Sequence, residues 1–282
     1  MELWMHSFHH SICNEVFQGT PFRDACKTIR SIGYEGIEIA PFTLSEDPAS
    51  ISLDQRKQYR AIMNSEGLRF AGLHWLMVAP KGLHVTTPDN ALRARSWTHI
   101  RHLIDLCADL GDDGAMVFGS PHQRSTTGGS SVAEATARFE QGLSDVSSHA
   151  MERGVTILVE ALPRSQSNVV NTLEDAEAIV RSVASPAVRT MFDTHNAEDE
   201  TDPHAAVVDR YFEDIRHVHV NEMDGRHPGT GSYDFDAVLR TFARRGYEGW
   251  VSLEVFDFSA GAETIARESL TYLESVTEQI QE

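Results

Sequence analysis

Four consecutive β-rich runs in the second half of the sequence end in a side chain that can bind a metal or move a proton. The runs TILVE, VRTMFD, IRHVHV and WVSLEVF carry, in that order, Glu160, Asp193, His219 and Glu254. Carboxylates that are buried close together lose hydration and repel one another, so they need a counter-charge. Three carboxylates and one imidazole form an oxygen-rich set that suits Mn²⁺, Mg²⁺ or Co²⁺ better than a structural zinc. These residue types therefore predict a divalent metal site.

Each of these residues also has a simpler interpretation. A single acid at the end of a strand is more often a helix cap or a solvated loop residue. His217 shares the face of His219, because side chains alternate along a strand with a period of two, and one of the pair is then a candidate core histidine. We assign the ligand role to His219, which lies nearer the following loop.

Eight apolar runs alternate with amphipathic stretches along the chain. The runs cover residues 3–8, 36–40, 68–75, 115–120, 156–160, 188–193, 215–220 and 250–256. Apolar residues spaced three and four apart predict helices over 21–33, 51–67, 89–111, 131–154, 171–184, 236–246 and 262–276. Runs too apolar to expose one face favour a parallel sheet, here one α/β domain over 1–282 closed into a (β/α)8 TIM barrel. An open doubly wound sheet is the rival, but its Gly-rich dinucleotide fingerprint does not follow the first run.

The barrel interpretation places the candidate residues at one end of the fold. The long irregular stretches 75–90, 119–131 and 221–233 all follow strands. They therefore belong to the face of the barrel where strand carboxyl ends and catalytic loops gather. Glu38, in the run GIEIA, is predicted either to face this barrel mouth or to form a surface ion pair.

Composition narrows the class of protein. The chain has 282 residues, 41% of them hydrophobic, and a formal net charge of −18. Such a charge repels phosphate backbones and anionic lipid, which argues against nucleic-acid and membrane partners. Three cysteines without a CxxC pair predict neither a disulfide framework nor a thiolate zinc site. No signal region and no long apolar run is evident, so a reduced, cytoplasmic setting is expected.

The motifs VEALPR, FDTHNA, HVHVNEMDGRHPGTG and SLEVF occur in an order that resembles the xylose-isomerase-like barrels. That superfamily includes the ketose 3-epimerases and hydroxypyruvate isomerase, and the resemblance is strongest from Val155 onward. It implies one divalent metal ion, with Mn²⁺ expected and Mg²⁺ or Co²⁺ as alternatives. It also implies a sugar substrate and a homo-oligomer, either a dimer or a tetramer. Glu160, Asp193, His219 and Glu254 fall on the metal ligands of the family, and Glu160 and Glu254 on its two acid/base groups.

The substrate positions match the ketose epimerases less well. Arg164 and Asn171 align with the family, but Asn196 stands where those enzymes place a substrate-binding histidine, and His195 lies one residue earlier. Gln166 replaces an acid, and Arg226 is shifted by one position, with Gly225 in the usual place. These differences put ordinary 3-epimerisation of a free ketose in doubt. The residues expected to contact substrate are His74, Trp75, Arg164, Gln166, His195, Asn196, Glu222 and Arg226.

The predicted activity is sugar isomerisation or epimerisation through an enediolate, with Glu160 and Glu254 as the acid/base pair. A cation that binds adjacent substrate oxygens makes the C–H next to a carbonyl more acidic, and two carboxylates can remove and return the proton. If the β-carbon carries a leaving group, the same step gives a lyase acting on a 3-keto-glycoside, which is the main alternative. An abasic-site endonuclease, disfavoured by the charge, and a non-catalytic sugar-binding subunit are weaker alternatives.

Overall fold

A computed structural model describes residues 7 to 281. Eight parallel strands, β1 to β8, form a closed barrel in which each strand pairs with its neighbours in the chain and β1 pairs with β8. They are His9–Cys13, Gly36–Ile39, Arg69–Leu73, Ala115–Phe118, Thr156–Val159, Val188–Asp193, Ile215–Val220 and Trp250–Leu253. The predicted α/β barrel fold is therefore confirmed.

Nine helices, α1 to α9, lie between and after the strands in the described part of the chain. They are Phe22–Ile32, Leu53–Glu66, Asn90–Leu110, Pro121–Arg124, Val132–Glu152, Leu173–Val183, His204–Tyr211, Phe235–Arg244 and Ala262–Gln281. Capping boxes begin α2, α5 and α6, where Ser52, Ser131 and Thr172 accept the backbone N–H three residues on. These caps satisfy amide groups that the first helical turn leaves without a partner.

Two sequence predictions need correction or extension. The first strand was predicted at 3–8, of which residues 3–6 lie outside the described residues, whereas Ser7 and Phe8 precede β1 at His9–Cys13. The segment HHSIC mixes histidine and serine with apolar residues, so it lacks the apolar continuity of the other strands. The sequence prediction also missed α7, which has only 8 residues and follows Pro203 directly.

The apolar core lies mainly between the barrel and its helices. Val218 and Val220 of β7 pack with residues such as Phe242 of α8 in one buried cluster. Because side chains alternate along the strand, His217 and His219 point the other way, into the barrel. The barrel interior near its carboxyl end is therefore polar, and its buried charges must find partners there.

Cys13, Cys26 and Cys107 are buried and free. Among the described residues, no helix combines the length and apolar character needed to cross a membrane.

Candidate metal centre and active site

The four candidate ligands meet at the carboxyl end of the barrel. Strand pairing places Asp193 of β6 beside His219 of β7, and Glu160 and Glu254 immediately follow β5 and β8. One ligand atom from each of the four lies within 4.8 Å of the others, and all four residues are buried. His219 Nδ1 is 2.9 Å from Glu254 Oε2 and 3.6 Å from Asp193 Oδ2. The four residues that the sequence places at strand ends therefore lie close together in the structure.

The electrostatics of this cluster fit a cation. Burial, followed by the negative charges of Glu254 and Asp193, raises the pKa of Glu160 well above its usual range. For His219, burial lowers the pKa, but the charges of Glu38 and Glu254 more than offset this and raise it well above its usual value. Three buried carboxylates that repel one another and one imidazole form a donor set that suits a divalent metal.

Two amide side chains hold Glu160. Asn196 Nδ2 donates to Glu160 Oε1 at 2.8 Å, and Gln166 Nε2 donates to Asn196 Oδ1 at 3.1 Å. Gly119 leaves room for the other oxygen, because a Cβ at that position would lie 2.1 Å from Glu160 Oε2. Buried Arg124 donates to the backbone carbonyls of Phe118 and Glu160, each at 2.8 Å.

Backbone amides orient Asp193. Its Oδ1 accepts the N–H groups of His195 at 2.7 Å and Asn196 at 2.9 Å. These bonds come from the turn that follows β6, so the turn fixes one carboxylate oxygen. The other oxygen, Oδ2, faces His219 Nδ1 and Asn196 Nδ2.

Trp75 holds Glu254 from across the barrel. The indole Nε1–H donates to Glu254 Oε1 at 2.6 Å. Trp75 has a φ of 50°, in the left-handed region that a bulky residue rarely occupies. Its ring stacks with Phe42 at 5.9 Å and with Phe256 at 6.3 Å between centroids. We predicted Trp75 as a substrate contact, and the structure adds a hydrogen bond to a candidate catalytic carboxylate.

Glu38 was the residue whose place the sequence left open. Its side chain is fully buried in the barrel, and its carboxylate lies 2.8 Å from His217 Nε2 and 3.1 Å from His219 Nε2. The surface ion pair is therefore wrong. The sequence could have indicated a buried role, because Glu38 is an acid in an otherwise apolar strand. It could not identify the two histidine partners, which lie 179 and 181 residues away.

A cavity of about 300 Å³ opens beside this cluster. Six predicted site residues line it, namely His74, Trp75, Glu160, Gln166, Asn196 and Glu254. Its apolar wall includes Val78, Leu162 and Phe256. The volume is at the lower end of the range for small-molecule sites, which suits a ligand the size of a sugar.

His74 lines the cavity and also contacts a buried carboxylate. Its Nε2 lies 2.8 Å from Glu15 Oε2. Burial alone would lower the pKa of His74, but the charge and the hydrogen bond of Glu15 raise it by more, so the pKa is about 9. His74 is therefore held as a charged partner of Glu15.

The remaining predicted substrate residues lie outside this cavity lining. Arg164 leaves 64% of its side chain exposed and pairs with Asp199 at 3.5 Å, and Arg226 pairs with Asp224 at 2.7 Å. Glu222 is buried and accepts the backbone N–H groups of Gly229 and Tyr233, each at 3.0 Å. His195 contacts the ring of Phe256 and bonds to the Met223 carbonyl. These residues shape the loops around the site.

Residues 26–276 match the family described as the xylose isomerase-like TIM barrel. The chain is 28% identical over 186 residues to a ketose 3-epimerase from Arthrobacter globiformis, which covers 65% of this chain and 63% of that protein. It is 24% identical over 246 residues to a fructoselysine 3-epimerase from Shigella flexneri, which covers 84% and 86%. The first match thus spans less than two thirds of the relative's length.

A solved structure shows the same architecture. The apo form of 3-keto-D-glucoside 4-epimerase from E. coli superimposes with a TM-score of 0.83, and the match covers 95% of this chain and 100% of that one. The two sequences are 19% identical. At this level of identity the likeness is one of fold.

Proposed function

The chain belongs to the xylose isomerase-like TIM barrel family, and from this we propose that it is a divalent-metal-dependent sugar epimerase or isomerase. The observation that carries the proposal is the pair of buried glutamates, Glu160 and Glu254, which line one cavity and share a cluster with Asp193 and His219. The names of the relatives, ketose 3-epimerase and fructoselysine 3-epimerase, support the same class of reaction.

In this proposal the four clustered side chains hold one metal ion, Mn²⁺ in preference to Mg²⁺ or Co²⁺. A divalent cation bound there would stabilise the negative charge that develops on the substrate oxygens when a proton leaves carbon. The ligands are Glu160, Asp193, His219 and Glu254, and Asp193 is already oriented by two backbone N–H groups.

Glu160 and Glu254 move the protons. One carboxylate takes the proton from the carbon next to the carbonyl, and the C–H electron pair becomes part of an enediolate. The other glutamate returns a proton to the opposite face of that carbon, which gives the epimer. Return of the proton to the neighbouring carbon gives the isomer. Asn196 and Trp75 each donate one hydrogen bond to these carboxylates, which fixes their orientation.

The cavity walls contribute recognition and exclusion of water. His74, Gln166 and Asn196 offer polar atoms to substrate hydroxyls, and Trp75 with Phe256 provides an apolar side. A partly apolar pocket with few polar groups is typical of small-molecule sites.

Solvent deuterium exchange tests this function. The Mn²⁺-loaded protein is incubated in D₂O with a panel of ketoses, keto-sugars and 3-keto-glycosides, and deuterium at carbon is measured by mass spectrometry and NMR. We expect exchange with at least one substrate, and its loss in Glu160→Gln and in Glu254→Gln. Glu35→Gln, an exposed glutamate paired with Arg69, is the matched control and should retain exchange. Exchange that survives both active-site substitutions would reject the proposal.

A second candidate function is elimination from a 3-keto-glycoside. It is favoured by Asn196 and Gln166, which occupy positions where ketose epimerases carry a histidine and an acid, and which bond to each other and to Glu160. After the same proton abstraction, the electron pair forms a C=C bond and expels the group on the β-carbon as its conjugate base. Product analysis separates the two functions, because elimination yields an unsaturated keto-sugar and a free aglycone, whereas epimerisation yields one intact isomer.

The proposed assembly is a homodimer or homotetramer. Sedimentation of the purified full chain tests this. A single species with the mass of one chain would contradict it.

A further inference from the structure

Glu38 connects two histidines from the opposite side of the barrel. It lies in β2, whereas His217 and His219 lie in β7. Glu38 Oε2 is 2.8 Å from His217 Nε2, and both Glu38 oxygens are 3.1 Å from His219 Nε2. All three side chains are buried. The contacts join the candidate metal ligand His219 to a carboxylate that is outside the ligand cluster.

The chemistry of the carboxylate decides where His219 carries its hydrogen. An ionised carboxylate only accepts hydrogen bonds, so Nε2 of His219 must be the donor to Glu38. An imidazole that binds a metal is neutral and carries one N–H, so its other nitrogen offers a lone pair. That nitrogen is Nδ1, which lies 2.9 Å from Glu254 Oε2 and 3.6 Å from Asp193 Oδ2, inside the four-residue cluster.

Histidines surround the Glu38 carboxylate. Each of its two oxygens lies within 3.1 Å of a histidine Nε2. His74 Nδ1 lies 3.7 Å from Glu38 Oε1, and His74 is itself held by Glu15. Histidines therefore approach Glu38 from β7 and from the residue that follows β3.

The backbone also aims this side chain. The pairing of β2 with β3 shifts register between Ile37 and Glu38. Such irregularities occur often beside active sites, where they redirect a side chain. The residue opposite Glu38 is Gly72, where a Cβ would lie 2.5 Å from the Ala115 carbonyl oxygen. At Gly72, opposite Glu38, β3 therefore approaches β4 too closely for a side chain.

We propose that Glu38 is a positioning residue for the metal centre, which holds His219 in the Nε2–H tautomer and presents the Nδ1 lone pair to the metal. This inference rests on the proposed function, which supplies the metal site. A carboxylate that accepts the second N–H of a metal-binding histidine fixes the ring orientation and raises the basicity of the ligand.

The first test compares Glu38→Gln with Glu35→Gln by the dissociation constant for Mn²⁺, measured from free Mn²⁺ by electron paramagnetic resonance. A glutamine replaces the charged carboxylate with one neutral carbonyl oxygen and one NH₂ donor, so it accepts the histidine N–H groups more weakly than the carboxylate does. We expect Mn²⁺ binding about 10- to 100-fold weaker in Glu38→Gln, the usual cost of losing such a partner. Glu35→Gln should bind like the wild type, because Glu35 is 44% exposed and pairs with Arg69 at the other end of the barrel.

The outcomes separate the inference from the proposed function. Equal Mn²⁺ affinity in the wild type and in folded Glu38→Gln overturns the role of Glu38 and leaves the metal site standing. No Mn²⁺ binding by the wild type overturns the metal site and the inference with it.

The second test needs no substitution at Glu38 and stands if that variant fails to fold. The wild-type protein is loaded with diamagnetic Zn²⁺, and long-range ¹⁵N–¹H NMR identifies which ring nitrogen of His219 carries hydrogen. We expect hydrogen on Nε2 and none on Nδ1. Hydrogen on Nδ1 would overturn the proposal.

Discussion

At the scale of single residues, the two candidate catalytic glutamates are held by neutral N–H donors. Glu160 accepts from Asn196, and Glu254 accepts from Trp75. Hydrogen bonds to a charged group contribute about 1.5–3 kcal/mol, which corresponds to roughly 10- to 100-fold in a rate when the bond is needed for the reactive geometry. The consequences of removing each donor can therefore be measured separately.

Asn196→Ala should lower kcat/KM about 10- to 100-fold, because Glu160 loses its donor and Gln166 loses its acceptor. Steady-state kinetics on the substrate identified by deuterium exchange measures the change. Asn168→Ala is the matched control, since Asn168 bonds only to Thr126 among the contacts that the structure describes, at an exposed position. Similar losses in the two variants would contradict a specific role for Asn196.

Trp75→Phe should lower kcat on the order of 10-fold and change KM little, since the aromatic ring remains but the N–H donor to Glu254 is lost. The control is Trp97→Phe, because Trp97 of α3 donates its Nε1–H to the carbonyl of Val85, in the loop between β3 and α3, and not to either glutamate. That variant should lose thermal stability and keep kcat. A Trp75→Phe enzyme with wild-type kcat would show that the bond to Glu254 is dispensable.

The sequence allowed the four clustered residues to be predicted because parallel strands end on the same face of a barrel. It did not show which side chains hold them. The bonds from Trp75 to Glu254 and from His219 to Glu38 join residues separated by 179 and 181 positions, and only closure of the barrel brings them together. Arg226, which the sequence predicts as a substrate contact, pairs with its loop neighbour Asp224, and its contact with substrate stays a prediction.

At the scale of elements, two glycines each leave room for a side chain from another element. Gly119 follows β4, and a Cβ there would meet the end of the Glu160 side chain at 2.1 Å. Gly142 lies in α5, and a Cβ there would meet the ring of Trp97 in α3 at 1.8 Å. Gly119 therefore leaves room for the Glu160 carboxylate, and Gly142 allows α5 to pack closely against Trp97 of α3.

Gly119→Ala should displace the Glu160 carboxylate and lower activity on the order of 100-fold, with little change in Tm, because a flexible carboxylate can move. Gly142→Ala should instead lower the Tm and leave the activity nearly unchanged. Overpacking against a buried ring costs roughly 1–3 kcal/mol of stability, with activity of the folded protein preserved. Calorimetry and kinetics on both variants check this, and a large fall in the Tm of Gly119→Ala would contradict the assignment.

The predictable elements were those with strong periodicity. The pattern in IRHVHV matched β7 at Ile215–Val220, and the capped stretches matched α2, α5 and α6. The prediction was wrong for β1, where barrel-facing polar residues interrupt the apolar run. It missed α7, since few residues define a period over two turns.

At the scale of the whole molecule, charge is concentrated in the interior as well as on the surface. The chain has a formal net charge of −18, and the buried acids in or beside the barrel mouth include Glu15, Glu38, Glu160, Asp193 and Glu254. Their mutual repulsion must be met by histidines or a cation. Stability should therefore depend on pH and on bound metal together.

Without metal, the protein should lose stability as the pH rises from about 6 to 9. The pKa of Glu160 is raised, so its protonated form stabilises the fold at low pH and that stability is lost as the group ionises. The pKa of His74 is raised to about 9, so its contribution is complete below the unfolded value near 6.5 and is lost as the pH rises through 9. Both shifts have the same sign.

Calorimetry in EDTA and in Mn²⁺ across this pH range measures the effect. Mn²⁺ at 100 times its dissociation constant should add about 2.7 kcal/mol, which raises Tm by several degrees. The gain should shrink in Glu160→Gln, which removes one of the repelling charges and one ligand. A Tm in EDTA that rises between pH 6 and 9 would contradict this account.

The contacts of Trp75 and Glu38 have a consequence for engineering by exchange of half-barrels. All four proposed ligands belong to the second half of the chain, from β5 to β8, so a chimaera that keeps this half retains every ligand. It still loses the donor to Glu254 and the acceptor for His219, because Trp75 follows β3 and Glu38 lies in β2. A functional graft must therefore transplant the two supporting residues together with the ligands they orient.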